Sequence, residues 1–201
     1  MKIILATTNP NKLREIKEIA NDINFDLELI NEDFDPVENG STFRENAYIK
    51  AYEAAKITGQ LALADDTGLC IDVLGGAPGI YSARYAPTPK EKIEKILREL
   101  SGESNRNAHF ECSMILVNPE GKVLFSSVGR IDGCITNEPS GSNGFGYDPI
   151  FFVPQLNKTM AEMTAEEKNS LSHRSRALIP MIEWIEQNLA KKAVKSSLLK
   201  N

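Results

Sequence analysis

The chain has 201 residues, 41% of them hydrophobic and 25% charged, which is enough apolar material for a packed core in one domain, with room for two lobes. Its formal charge of −5 excludes the broad basic surface that nucleic acid or an acidic membrane requires, so any polyanion it binds is expected to be small. No apolar run approaches the roughly 18 residues of a membrane span, and the three cysteines, Cys70, Cys112 and Cys134, are far apart and suit reduced thiols; a cytoplasmic protein is expected.

The elements alternate. Residues 2–6 form a short apolar strand, followed by "TTNPNKLREIKEIAND", where Asn9 can cap a helix, Pro10 suits its first position, and Leu13, Ile16 and Ile19 share one face. A strand is expected near 26–31, then a polar loop, then a helix in "TFRENAYIKAYEAAKITG" with Thr42 and Glu45 as a capping box and Gly59 as its stop. On that helix Phe43, Ala47 and Ala54 point one way, while Asn46, Lys50 and Glu53 lie on the other face. The apolar run "LALA" delivers Asp65 and Asp66 to its C-terminal end, where the strand is expected to meet a turn. A third helix is signalled by "TPKEKIEKILRELSG", with Thr88 as cap, Glu91 completing the box, and Ile93, Ile96, Leu97 and Leu100 as its stripe.

From about 108 to 135 the β-branched and aromatic content rises on both sides of "NPEG", the pattern of an antiparallel hairpin. The segment "EPSGSNGFGYDPIFFVP" reads as a glycine-rich loop entering a short strand, and a helical pattern runs from Thr164, kinked at Pro180, with residues after about 190 fraying. No internal repeat is evident. The class is α/β with a mixed sheet.

Three motifs fall where α/β proteins place ligands, beyond strand ends and at helix N-termini. "TTNPNK" offers the hydroxyls of Thr7 and Thr8, the Asn9 amide and Lys12, a set suited to phosphate but equally to a well-capped helix. Asp65 and Asp66 are like charges side by side, one of which can cap a turn while the other is solvated; with Glu38 and Glu45 in or beside a polar loop they also form a hard oxygen set of the kind Mg²⁺ takes, one carboxylate holding the ion and its neighbour orienting or deprotonating a water. In "GFGYDP", Phe145 and Tyr147 are aromatics among glycines such as Gly146, where backbone can approach a ligand and a ring can stack on a base; a flexible turn with Phe145 tucked into the core is the other reading. Lys168, His173, Arg174 and Arg176 in "KNSLSHRSRAL" read as a solvated helix face unless the other motifs recruit them.

Six segments, "ATTNPNK", "TFRENAYIKA", "ADDTGL", "GGAPGIYSARYA", "GFGYDPIF" and "EKNSLSHRSRAL", stand in the order found in the inosine triphosphate pyrophosphatase family, which the chain resembles from residue 3 to about 180. The resemblance implies an elongated mixed sheet flanked by helices in two lobes with the site in the cleft between them, a homodimer, and Mg²⁺-dependent hydrolysis of ITP, dITP and XTP to the monophosphate and pyrophosphate. By the same resemblance Thr7, Thr8, Asn9 and Lys12 form the phosphate loop and Lys50 reaches the triphosphate. Glu38 and Asp66 hold the metal, Asp66 accepts the proton, and Asp65 and Thr67 complete that turn. Phe145 stacks on the purine, with Gly146, Tyr147 and Asp148 beside it and Lys168, His173 and Arg174 on the far side; Arg84 in "YSARYA" belongs to the pattern without an assigned role. A fixed donor such as His173 or Arg174 would be paired by a 6-oxopurine and confronted by the amino group of adenine. A nucleotide sensor without hydrolysis, a nucleic-acid-processing enzyme and a Maf-like pyrophosphatase of different base preference are the rival readings. The acidic set argues against the first, and the net charge against the second.

Overall fold

The computed structural model describes every residue except Asp22, Glu32 and 191–201, so the expected fraying after about 190 lies outside the described residues. Strand β1 (Lys2–Leu5) leads into helix α1 (Pro10–Ile19), then β2 (Asp26–Leu29), α2 (Phe43–Thr58) and β3 (Leu61–Ile71). Helix α3 (Pro89–Glu99) follows, then β4 (Asn107–Val117), β5 (Val123–Ile135), β6 (Phe151–Val153), β7 (Lys158–Thr159), α4 (Ala165–Leu171) and α5 (His173–Ile185). The described strands form one seven-stranded sheet in the order β2-β1-β3-β4-β5-β6-β7. It is mixed: β1 runs parallel to β2 and β3, whereas β6 pairs antiparallel with β5 and β7. The connection between β4 and β5 is too short for a parallel crossover, so these two form the hairpin the sequence implies, closed by the Asn118 N–H to Lys122 carbonyl bond of 3.1 Å.

Local chemistry explains the helices. Asn9 caps α1 by accepting from the Asn11 and Lys12 N–H groups, with Pro10 at the first position. Thr42 caps α2, which stops at Gly59 in the left-handed region. Glu45 departs from the expected box, since its carboxylate accepts from the Ser41 N–H at 2.7 Å and hydroxyl at 2.6 Å. Thr88 and Glu91 form the complete box on α3.

The chain divides into two compact units, the division falling inside β3, β4 and β5. Unit 1 comprises Met1–Asp66, Cys112–Gly129 and the chain from Arg174 onward. Its part of the sheet is covered on both faces. Ile3, Leu5, Leu63 and Met114 pack with Ile16 of α1 and with Leu178 and Met181 of α5, while Ile4, Ala62, Ala64 and Ile115 pack with the alanine stripe Ala47, Ala51, Ala54 and Ala55 of α2. Alanine lets that helix approach the strands closely. Unit 2 comprises Thr67–Glu111 and Arg130–His173, and its core joins Leu69, Phe110, Ile131, Tyr147 and Phe151 to Ile96 of α3 and to Leu100, the residue that caps its end.

Three expectations need correction. Strand β3 does not end at the aspartates but runs through them to Ile71, because it is paired with β1 and lies beside β4 as an interior strand. The helical pattern after Thr164 is broken at Ser172 into α4 and α5, and α5 continues past Pro180 to Ile185. Strand β2 stops at Leu29. Among the described residues no helix is long and apolar enough to cross a membrane.

Candidate active site

Side chains alternate across a strand, so two carboxylates adjacent in sequence on β3 point to opposite faces. Their partners confirm it. Asp65 meets Lys12 of α1, at 2.9 Å from Nζ to Oδ2, and Arg174 of α5, at 3.5 Å from the same oxygen. Asp66 meets α2 instead: Lys50 Nζ lies 2.8 Å from Oδ1 and Asn46 Nδ2 lies 3.4 Å from Oδ2. Repulsion between the two neighbouring carboxylates is therefore relieved by the pleat and by a cation bonded to each.

Asp65 is 3% exposed and Arg174 is 1% exposed. Burial alone would raise the Asp65 carboxyl, but Lys12, Arg174 and Lys50 hold it well below the usual carboxylate range. Burial would likewise lower Arg174, and Asp65 and Glu15 hold it fully charged. Glu15 of α1 is the partner the sequence reading missed: it is buried and bonds the Arg174 guanidinium directly. The available signal was a carboxylate beside Ile16 on the buried face of α1. Arg174 thus belongs to a Glu15–Arg174–Asp65–Lys12 chain in unit 1.

On the other face Lys50 Nζ bridges Asp66 and Glu38 Oε2, at 2.8 and 3.0 Å. Burial works against the ammonium, yet Asp66, Asp65 and Glu38 together hold its pKa above the ordinary value. Burial pushes the Asp66 carboxyl upward, with Glu38 adding to the push and Lys50 opposing it. Asn46 and Lys50, one turn apart on α2, form a polar face that is buried, while Glu45 is engaged at the helix start and stands apart from this cluster.

In the loop before α1, Asn9 Oδ1 is committed to the α1 cap, and Thr7 Oγ1 accepts the Asn9 N–H at 3.2 Å. Thr8 is exposed, and Thr67 follows Asp66 on β3, half-buried. Pro10 has no N–H, and the N–H groups of Asn9, Asn11, Lys12 and Leu13 are each accepted within the loop and first turn, so what α1 can offer an anion here is the positive end of its dipole.

Unit 2 gathers the aromatic motif with Lys168 and His173, whereas Arg174 and Arg176 fall in unit 1. Lys168 Nζ lies 2.6 Å from Asp148 Oδ2 and 5.1 Å from the Phe145 ring centroid, and the Phe145 N–H donates to the same carboxylate oxygen at 2.7 Å. Gly144 has φ +71°, and a Cβ there would stand 2.0 Å from Asp148 Oδ2, so only glycine admits this clasp. Gly146 also has positive φ, +65°. Phe145 is half-buried; Tyr147 is buried in the unit 2 core and donates its hydroxyl to the Ser82 carbonyl at 2.9 Å. His173 stacks on Phe110 with 4.7 Å between centroids. Lys168, His173 and Arg174 are all buried, which rules out a solvated helix face for them; only Arg176 of that set is exposed. Arg84 lies over the exposed Tyr81 ring at 5.3 Å. A cavity of about 500 Å³ beside α2, lined by residues including Phe34, Val37 and Ile57, contains none of these side chains.

An α/β protein with a capped helix N-terminus, two buried lysines set against carboxylates, and an aromatic clasp is equipped for a small organic polyanion. The chain belongs to the Ham1 family, whose model matches residues 3–184. Two proteins called dITP/XTP pyrophosphatase are similar to it: that of Treponema denticola is 48% identical over 195 residues, covering 92% of this chain and 99% of the relative, and that of Synechocystis is 46% identical over 183 residues, covering 90% and 94%. Among solved structures, a HAM1 protein from Coxiella burnetii superposes with TM-score 0.85 at 42% identity, and the Staphylococcus aureus Ham1 protein with TM-score 0.84 at 39%, each covering 93% of this chain and 99% of its own. The resemblance drawn from the six motifs and the helix-flanked mixed sheet are both borne out.

Proposed function

We propose that this chain is a house-cleaning nucleoside triphosphate pyrophosphatase that hydrolyses non-standard purine nucleotides, ITP, dITP and XTP, to the monophosphate and pyrophosphate. The observation that carries the reading is the Glu38–Lys50–Asp66 cluster, found in a chain nearly half identical over most of its length to proteins of that name. Water attacks the α-phosphorus, the bond from that phosphorus to the oxygen bridging the β-phosphate breaks, and pyrophosphate leaves with the bridging oxygen. Asp66 takes the proton of the attacking water, a task suited to a carboxyl that burial pushes upward. Lys12 and Lys50 place positive charge where the phosphates and the leaving group carry negative charge, and the positive end of the α1 dipole adds to it. Asp65, held by Lys12 and Arg174, keeps the Lys12 ammonium in place.

Glu38 and Asp66 fit a magnesium ion, because their oxygens already converge on one cation, Lys50, at 3.0 and 2.8 Å. Among the described residues no third carboxylate, histidine or cysteine joins them, which suits an ion that completes its shell with water and substrate phosphates. Bound there, Mg²⁺ supplies Lewis-acid neutralisation of phosphate charge. Phe145 stacks on the purine while Asp148 fixes the loop that carries it. His173 and Lys168 supply donors that a 6-oxo group can pair, whereas Arg174, which the resemblance set beside them, is engaged by Glu15 and Asp65 in unit 1; an unpaired buried donor costs about 1–3 kcal/mol, which disfavours adenine. The family resemblance adds a cytoplasmic homodimer, which sedimentation velocity tests.

The decisive assay incubates purified protein with ITP, XTP, GTP and ATP, with Mg²⁺ or excess chelator, and separates the products. Monophosphate and pyrophosphate from ITP or XTP, dependent on the metal and slight from ATP, are expected. Diphosphate with orthophosphate, or binding without turnover, overturns the reading, the latter in favour of a sensor.

A further inference from the structure

Asn46 is wholly buried, at 0% exposure, on the face of α2 that also carries Lys50. Both ends of its amide are used. The carbonyl oxygen Oδ1 accepts the Gly40 N–H at 2.8 Å, and the amide nitrogen Nδ2 donates to Asp66 Oδ2 at 3.4 Å. A backbone N–H can only donate, so the oxygen must face Gly40 and the nitrogen must face the aspartate; the orientation of the amide is dictated by its partners. The two oxygens of Asp66 are thereby distinguished, Oδ1 by Lys50 and Oδ2 by Asn46.

The same amide ties down the segment that carries Glu38, two residues before Gly40. Gly40 has no room for a side chain: a Cβ would stand 2.7 Å from Glu45 Cβ and 2.8 Å from Asn46 Oδ1. The glycine is thus needed for close approach rather than for an unusual backbone conformation. A neutral amide also has an advantage over a further lysine at this place. It holds the carboxylate by one directional bond without adding a positive charge that would weaken it as a proton acceptor.

We infer that Asn46 is the positioning residue of the reacting carboxylate: one buried amide aligns Asp66 and, through Gly40, registers the Glu38 segment against it. This rests on the pyrophosphatase reading for the reaction, but not for the geometry. Outer partners of this kind cost about 10- to 100-fold in activity when removed, because small misplacements of reacting groups are amplified in rate.

The test compares wild type, Asn46→Ala, Asn46→Asp, Gly40→Ala and the double variant Gly40→Ala/Asn46→Ala. In steady-state ITP hydrolysis, Asn46→Ala and Gly40→Ala are each expected to lower kcat about 10-fold or more while KM stays within about threefold. Asn46→Asp, which keeps the acceptor for Gly40 but turns an oxygen toward Asp66, should lose as much as Asn46→Ala. The double variant should lose little more than either single one, because both act through one bond. A second readout needs neither metal nor turnover: in the ¹H–¹⁵N spectrum of the metal-free protein, the Asn46 side-chain amide pair should move when Asp66→Asn is introduced. Losses that multiply, a kcat within twofold of wild type in folded Asn46→Ala, or an amide pair indifferent to Asp66→Asn each overturn the inference. If Asn46→Ala fails to fold, Gly40→Ala and the spectrum still decide it. A wild type inactive on ITP defeats the pyrophosphatase reading instead, and leaves the spectral test standing.

Discussion

Asp65 and Asp66 differ by one position and by everything around them. Asp65 is a buried anion held by Lys12 and Arg174, with its carboxyl well below the usual range. A carboxyl depressed in the fold adds stability that is complete above its unfolded pKa of about 4 and is lost as pH falls below that value toward the folded one. Urea unfolding of the metal-free protein should therefore show a midpoint that drops as pH falls below about 4, and drops less steeply in Asp65→Asn; equal slopes in the two proteins would contradict the assignment. Arg174→Ala leaves Glu15 and Asp65 facing each other without their shared cation, a loss of the kind that costs about 3–5 kcal/mol in buried pairs. Chemical denaturation reads it directly, and a change below about 1 kcal/mol would mean the guanidinium is dispensable to the fold. Asp66→Asn should behave oppositely, folding normally while losing about 10²- to 10⁴-fold in kcat, the usual contribution of a general base.

Elements with strong local signals were legible in the sequence. Asn9, Thr42, Gly59, Thr88 and Glu91 each act at the helix end where the sequence places them, because a cap is a contact within a few residues. What was not legible depends on distant partners. Nothing in "ADDTGL" tells that β3 continues, since a strand persists through charged residues only if neighbouring strands pair it and cations from helices far along the chain meet each carboxylate. For the same reason Glu15 and the carboxylate clasp of Arg174 escaped notice, as did the direct Lys168–Asp148 pair, since the resemblance had set Lys168 on the far side of the base from Phe145 and Asp148. The glycine-rich loop shows the difference in a testable form. Gly144→Ala brings both a strained positive φ and a methyl onto Asp148 Oδ2, so the Asp148–Lys168 pair and the Phe145 N–H bond should be disrupted together. The expected result is a raised KM for ITP and a melting temperature lowered further than in Gly102→Ala, where the same backbone strain meets open space.

At the scale of the whole molecule, the candidate residues divide between the two compact units. Unit 1 carries the lysines and carboxylates, Lys12, Lys50, Glu38, Asp65 and Asp66; unit 2 carries Phe145, Tyr147, Asp148, Lys168 and His173. Each set is held by its own core, the first by sheet residues covered on both faces and the second by the cluster around Leu69, Phe110 and Phe151. On the proposed function, holding the phosphates and holding the base are two nearly separable tasks, and variants should sort accordingly. Stacking of a base on an aromatic ring is worth about 1–3 kcal/mol, so Phe145→Ala should raise KM for ITP roughly 5- to 150-fold. Inhibition by inorganic tripolyphosphate, which has no base, should be unchanged in that variant. Lys12→Ala should do the reverse, weakening tripolyphosphate while preserving the ratio of kcat/KM for ITP over ATP, because the lysine acts on groups common to both nucleotides. If Phe145→Ala weakened tripolyphosphate as much as ITP, the ring would be serving the fold of its unit and not the base, and the partition would fail.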